Sequence, residues 1–403
     1  MKKLLALLLA AVLVFALAAC GGGAAEAPAE APAEEPAEAP AEAPDEAPAE
    51  APAEGSASGE PSSGEPSGED VLSEDFAVLY PDVEPLNITF NCAFQANESG
   101  GIITQHFKNA LEGMTDGKIT VNVSYGGTLF TPDDELDACG DGAIDMMLFA
   151  HTRHTMELPV LCAIPEFAPG SIQNALDYFE YVMSAPTAGD AIQAEAEAYG
   201  IKYLSVNANG ANYFIANYPF DSLADLVSKS AAFGNMVPAK FEALGLTVVP
   251  VFPWDYYSAF DTGLMDSSMM DGAALYSMSV YEVAPYWMSD GTFAAGNFIT
   301  VNLDWWNGLT DGQREAIQAA ADNTQAFSLQ YNQDASDSLN ENLAANGVTV
   351  IEMSDEELAQ WWGVIFDTAA NDALAAAAQN GNTDDIMAVL QAAADFTGYD
   401  FQP

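Results

Sequence analysis

A short apolar run, Thr247 to Val251, lies between a helix that Gly245 stops and a second that begins at Asp255 after a turn through Pro253. Gly263 ends that second helix before another apolar run. Helix, buried strand and helix in immediate succession are one step of an open sheet joined by crossover helices. The same alternation recurs upstream. Leu86 to Phe90 alternates as a strand, and Gly100 to Met114 places Ile103, Phe107, Ala110, Leu111 and Met114 on one helical face. A turn at Thr115–Gly117 leads to the strand Ile119, Val121, Val123. Thr131-Pro132 followed by Asp133, Asp134 and Glu135 reads as a helix start, and Asp141 to Asp145 leads into the apolar strand Met146 to Ala150. The pattern is βαβαβ, hence a largely parallel sheet. Ser222 with Asp225, Thr310 with Gln313, and Ser354 with Glu357 have the spacing of capping boxes opening later helices.

The first part of the chain cannot join such a core. Met1 to Cys20 carries Lys2 and Lys3, an apolar run from Leu4 to Ala16, and a small-residue cleavage region, which is the pattern of a secretory signal peptide. Leu17-Ala18-Ala19-Cys20 followed by glycines resembles a bacterial lipobox, which implies cleavage before Cys20 and its lipidation; a plain cleaved signal with a chance cysteine is the alternative. From residue 21 to about 70, alternating Ala, Pro and Glu give way to Ser, Gly, Pro and Glu. Proline prevents a stable helix and charge prevents collapse, so 21–85 is expected to be a disordered tether that could extend on the order of 150 Å. Such a tether suits an exported protein held on the outer face of a single-membrane bacterium.

Nine basic residues against 60 acidic ones give a formal net charge of -51, which excludes nucleic-acid binding. Beyond Cys20 only Cys92, Cys139 and Cys162 remain, each in apolar surroundings, so no disulfide framework and no zinc spacing is present. They read as core residues. His151-x-x-His154 with Glu157 could bind a metal or could be a cleft or surface histidine pair; the register of a zinc protease is absent. There is no nucleophile elbow, no P-loop and no dinucleotide fingerprint, so neither a cofactor nor a catalytic residue is expected.

In open α/β sheets ligands bind at the carboxyl ends of the strands, and the residues standing there are the candidate binding set. After the first strand come Phe94, Gln95, Asn97 and Glu98; at the end of the third come Phe149, His151, Thr152, Arg153 and His154. After a strand at Lys202–Val206 come Asn207, Asn209, Asn212, Tyr213 and Phe214, and in the later part of the chain Asn235, Trp254, Asp255, Tyr256 and Tyr276. Aromatic and amide side chains in these places suit a cleft that grips a small polar molecule.

The order of several weak motifs resembles the solute-binding proteins of TRAP (tripartite ATP-independent periplasmic) transporters. Gly117-Lys118, Gly126-Gly127 and Gly142-Ala143-Ile144-Asp145 are followed by Pro219, Asp225-Leu226, Leu244-Gly245 and then Tyr257, Ala259, Thr262, Gly263 and Asp266. The resemblance spans roughly Leu86 to Ala393. It implies an α/β, two-lobed periplasmic-binding-protein-like fold with open sheets and a hinge: lobe I at 86–206, lobe II at 207–297, and a return at 298–403, where an unbroken helical region from Thr310 packs across both. It also implies a monomeric extracytoplasmic subunit that closes on a small-molecule solute, most often a carboxylate, and delivers it to a TRAP-type permease in the membrane. An exported hydrolase using the same cleft is the alternative. One departure matters. The family's carboxylate-pairing arginine follows the Asp-Leu helix start, and alignment on Asp225-Leu226 puts Ala232 in its place. Seven basic residues lie beyond the signal, and Arg153 alone stands at an expected strand end, so it is expected to supply the positive charge.

Overall fold

The computed structural model describes residues 76–402. The expected signal peptide, Cys20 and the tether up to residue 75 lie outside that range. The fold starts earlier than Leu86: the N–H groups of Leu79 and Tyr80 both donate to the Met114 carbonyl at 2.9 Å, and Val83 is buried in the core. The expected tether therefore reaches at least ten residues too far.

Strands β1 (Leu86–Cys92), β2 (Ile119–Ser124) and β3 (Met146–Ala150) are parallel and are joined by helices α1 (Ser99–Met114) and α2 (Glu135–Gly140). Every residue assigned from sequence to the apolar face of α1 is buried. The start read at Thr131 is a turn instead. Its carbonyl accepts from Asp134 and Glu135, and α2 begins only at Glu135, a side chain driven inward rather than placed at the helix mouth.

Next come β4 (Phe167–Pro169), helices α3 (Ile172–Ser184) and α4 (Pro186–Ala198), and the long strand β5 (Ile201–Ala216). Helix α5 (Leu223–Lys229) is capped by Ser222, whose hydroxyl accepts from the Asp225 N–H at 3.1 Å. Strand β6 (Phe233–Gly234), α6 (Ala239–Ala243), β7 (Val248–Val249), α7 (Tyr256–Asp261), β8 (Ser267–Asp271) and α8 (Gly272–Ser277) complete a second set of short strands. A second long strand, β9 (Tyr286–Asn302), is followed by α9 (Leu303–Gly308) and α10 (Asp311–Ala345), and both halves of the Thr310–Gln313 capping box are formed. The helical region is not unbroken: the chain turns at Gly347 into β10 (Thr349–Glu352) before α11 (Asp355–Asn380) and α12 (Thr383–Thr397).

Among the described residues all ten strands share one sheet, ordered β2-β1-β3-β9-β5-β8-β6-β7, with β4 and β10 also pairing with β9. The two lobes are thus not built on separate sheets. What distinguishes the halves is direction. β3 is antiparallel to β9, β9 to β5, and β5 to β8, while β6 and β7 run parallel to β8. Hence β1–β3 run with β5 and β6–β8 run against it, so the carboxyl ends of the two sets face each other along β5. The convergence is visible in the register: Ala150 pairs with Asn297, which pairs with Asn207, and Asp271 pairs with Asn212. Between these points the β5–β9 pairing is broken by register shifts, which bend and twist a ladder locally.

Three buried clusters follow the same division. Phe90, Phe107 and Ile317 belong to one under the first set of strands; Tyr213, Tyr256, Trp287 and Leu343 to one under the second. The third, with Phe149, Phe179, Phe214, Phe241 and Trp361, spans both. Helix α10 packs on α1 at one end and α8 at the other, so it touches both halves.

Candidate functional site in the interlobe cleft

Where strand ends converge, the loops that follow them form the walls of a cleft. On the first wall, Arg153 sits on an exposed turn directly after β3, and its guanidinium lies 5.8 Å from the centre of the half-buried Phe94 ring after β1. A cation resting on an aromatic face is held in place while its N–H fork stays free. Gln95 and Asn97 are exposed beside it, and the Gln95 N–H is taken by the Glu98 carboxylate at 2.8 Å. Behind Arg153 lies Glu135, fully buried, accepting from Asn91 Nδ2 at 2.9 Å. Burial pushes its carboxyl up to about 8, against smaller opposing effects of Asn91 and of the Arg153 charge. Glu135 is therefore largely protonated near neutrality and leaves Arg153 its positive charge.

The distribution of cations singles out this residue. Lys108, Lys229, Lys240 and Arg314 are each in an ion pair, with Glu112, Asp225, Glu166 and Asp311 respectively, and Lys118 donates to the Pro81 carbonyl. Lys202 lies near the start of β5, remote from the convergence. Among the described residues Arg153 is the cation at the cleft, and it is in no ion pair.

His151 and His154 are neither exposed nor placed to share a metal: both are buried, and no group of three or more metal-binding side chains assembles among the described residues. His151 points its two ring nitrogens at the carbonyls of Gly296 (3.3 Å) and Ile164 (3.4 Å), and its own carbonyl accepts from Cys162 Sγ at 2.8 Å. Burial holds both imidazoles below their ordinary value. Phe149 is also buried, in the cluster that spans both halves. Of the cysteines, Cys92 and Cys139 are buried and Cys162 is half-buried, and all are free thiols.

The floor is a row of amides. Asn207 Nδ2 donates to the Asn297 carbonyl at 3.1 Å, and Asn297 Nδ2 donates to Asn209 Oδ1 at 2.7 Å. Oδ1 of Asn207, Oδ1 of Asn297 and Nδ2 of Asn212 are buried and have no protein partner, which is uncommon for buried polar atoms.

On the second wall, Asn235 follows β6 with its Nδ2 bonded to the Met269 carbonyl at 3.2 Å and its Oδ1 to the Val237 N–H at 2.8 Å. Trp254, after β7, is 72% exposed and stacks on Phe252 with ring centroids 4.6 Å apart and planes 7° from parallel. Phe252 was not among the expected residues; its signal was the aromatic-proline-aromatic sequence Phe252-Pro253-Trp254. Tyr213 and Tyr256 do not stand on this wall: each is 2% exposed and packs in the core of the second half. Tyr276 stacks on Tyr281 with centroids 4.9 Å apart, and its hydroxyl accepts from Asn346. Beside β7, Pro250, Phe252, Asp255 and Thr262 help to line an open groove of about 250 Å³.

Ala232 precedes β6, with its N–H directed at the Asp266 carboxylate (3.3 Å), so it lies at the end of that strand away from the cleft. No residue from Ser230 to Pro238, the stretch that leads into and out of β6, is basic.

Opposed strand ends with a cleft between them and two long strands shared by both halves are an arrangement that can hold a small solute between the halves. The chain belongs to the bacterial extracellular solute-binding protein family 7, DctP, whose pattern it matches over residues 90–367. It is 24% identical over 277 residues, 64% of this chain and 76% of the other, to the ectoine-binding periplasmic protein TeaA of Halomonas elongata. Its fold is similar to that of a TRAP periplasmic solute-binding protein from Roseobacter denitrificans with bound beta-D-glucuronate, at a TM-score of 0.61 and 19% identity over 75% of this chain and 99% of that one. A marine-metagenome TRAP solute-binding protein specific for pyroglutamate gives a TM-score of 0.62 at 19% identity, covering 77% and 99% of the two chains. The protein is accordingly an extracytoplasmic solute-binding component of a TRAP-type transporter and not an enzyme. It binds a small organic solute and hands it to a membrane permease.

Proposed function

We propose that the cargo is a small organic carboxylate and that Arg153 binds its charge. The carrying observation is that Arg153 is the unpaired cation at the cleft, pre-set on the Phe94 ring. A carboxylate taken from water needs such a partner, and a guanidinium fork matches it with two parallel hydrogen bonds. Relatives whose names specify glucuronate and pyroglutamate support an organic acid. Gln95, Asn97, Asn209 and Asn235 then serve as neutral polar contacts. Closure is assigned to two lobes, 86–206 and 207–297, with the return at 298–403; the irregular β5–β9 pairing around Asn207 and Asn297 supports the hinge there.

The remaining parts of the reading concern tethering. We assign Cys20 as the lipidated mature N-terminus of a monomer held on the outer face of the membrane by residues 21–75, on the strength of the lipobox and the Ala/Pro/Glu repeat. Replacing Cys20 by Ser releases the protein from the membrane fraction if this holds; retention refutes it. For the site, calorimetry against a panel of organic acids tests Arg153→Ala. The expected loss is roughly 10- to 100-fold, the range of a charge-assisted hydrogen bond, and undiminished carboxylate binding removes Arg153 from the site.

A further inference from the structure

We propose that the carboxylate cargo carries a flat aromatic ring, and that the stacked pair Phe252–Trp254 is the platform on which that ring lies. This rests on the assignment of the cleft as the solute site and adds the chemical class of the solute's body. Phe252 is 46% and Trp254 72% exposed, and neither ring belongs to any of the three buried clusters. Their parallel arrangement, 4.6 Å apart and 7° from coplanar orientation, is not imposed by core packing. It is held from the backbone: Pro253 opens a helical turn and the Asp255 N–H donates to the Phe252 carbonyl at 2.9 Å. Two large apolar rings fixed in water by a turn retain the hydrophobic free energy that burial under a ligand releases.

Location adds the second half of the argument. The pair follows the carboxyl end of β7, in the set of strand ends that faces Arg153, and Met236 and Val237, 41% and 60% exposed after the neighbouring β6, extend the apolar surface on the same wall. The opposite wall also presents an aromatic ring, Phe94, with the guanidinium of Arg153 over it. One wall is aromatic and apolar; the other is aromatic with one positive charge. A planar ring stacks on the first while its carboxylate reaches the second.

The test is calorimetry on the full chain with three probes of related size: benzoate, its saturated counterpart cyclohexanecarboxylate, and uncharged benzamide, with indole-3-acetate as a larger aromatic acid. The expected result is that an aromatic acid binds about tenfold more tightly than cyclohexanecarboxylate, the size of a ring-stacking contribution. Trp254→Ala lowers the affinity for benzoate more than that for cyclohexanecarboxylate and so removes the preference, and Trp254→Phe keeps most of it. Ligand-induced quenching of tryptophan fluorescence disappears in Trp254→Phe. Equal affinities for the aromatic and saturated acids in the parent protein, or an unchanged ratio in Trp254→Ala, overturn the platform while leaving the Arg153 carboxylate site intact. Benzamide binding as tightly as benzoate sustains the platform and overturns the Arg153 assignment instead. Binding of none of the aromatic probes overturns the aromatic inference.

Discussion

Trp361 Nε1 donates a 3.0 Å hydrogen bond to the Asp290 carboxylate, and both side chains are fully buried. The same carboxylate accepts from the N–H and hydroxyl of Thr292, so it is satisfied by donors from β9 itself and from α11. This bond ties the C-terminal helices to one of the two long strands. Trp361→Phe keeps most of the apolar volume and deletes only the donor. The expected loss is about 1–3 kcal/mol, the cost of depriving a buried acceptor of a partner, measured by urea unfolding.

Burial raises the carboxyl groups of Glu135 to about 8, Asp290 to about 7 and Glu195 to about 7. Each folded value lies above the unfolded one, so over that interval the folded state holds protons that the unfolded chain has released. Stability then falls as pH rises. Below about pH 6.5 the buried His151 and His154, held down by burial, act in the opposite direction, which makes the window between about 6.5 and 8 the informative one. Thermal melts across this window are expected to show a declining midpoint, and Glu135→Gln to flatten its upper part. A rising midpoint in the parent protein contradicts the assignment.

Gly296 sits on β9 beside the amide floor with φ 104°, a conformation glycine adopts freely and other residues do not. A Cβ there would come within 2.3 Å of His151 Nδ1. Gly296→Ala therefore combines backbone strain with a clash against a buried ring, and a destabilisation of about 1–3 kcal/mol or more is expected in urea titrations.

Thr310 accepts from the Gln313 N–H at 3.3 Å while the Gln313 side chain accepts from the Thr310 N–H at 3.0 Å. Thr310→Ala is expected to cost about 1 kcal/mol, seen as a lower urea midpoint with an unchanged slope.

How far the sequence could be read depended on whether local signals agreed with the final packing. The strand Met146–Ala150 and the buried face of α1 were legible because hydrophobic periodicity and burial coincide there. The caps at Ser222, Thr310 and Ser354 were legible because a capping box is a short-range geometry. Of the long strand β5 only Lys202–Val206 is legible as a strand, and of β9 only the return near residue 298, for an equally specific reason. Asn207, Asn209 and Asn212 in β5, and Asp290, Gly291 and Gly296 in β9, are turn-forming types that are held in strands by their mutual pairing across irregular registers. At the site, Arg153, Phe94 and Trp254 stand at strand ends as expected, whereas Tyr213 and Tyr256 face inward. An aromatic residue next to a strand end gives the same sequence signal in either orientation. Sequence periodicity over such short elements does not separate them.

A sheet that runs without interruption through both halves bears on how the molecule comes apart. Lobes that each owned a private sheet could melt one after the other, with a half-folded species between. Here β5 and β9 supply paired strands to both halves, so neither half retains its central ladder once the other is lost. Cooperativity is thus built into the strand order, and calorimetry of residues 76–403 should give a single transition whose van't Hoff and calorimetric enthalpies agree.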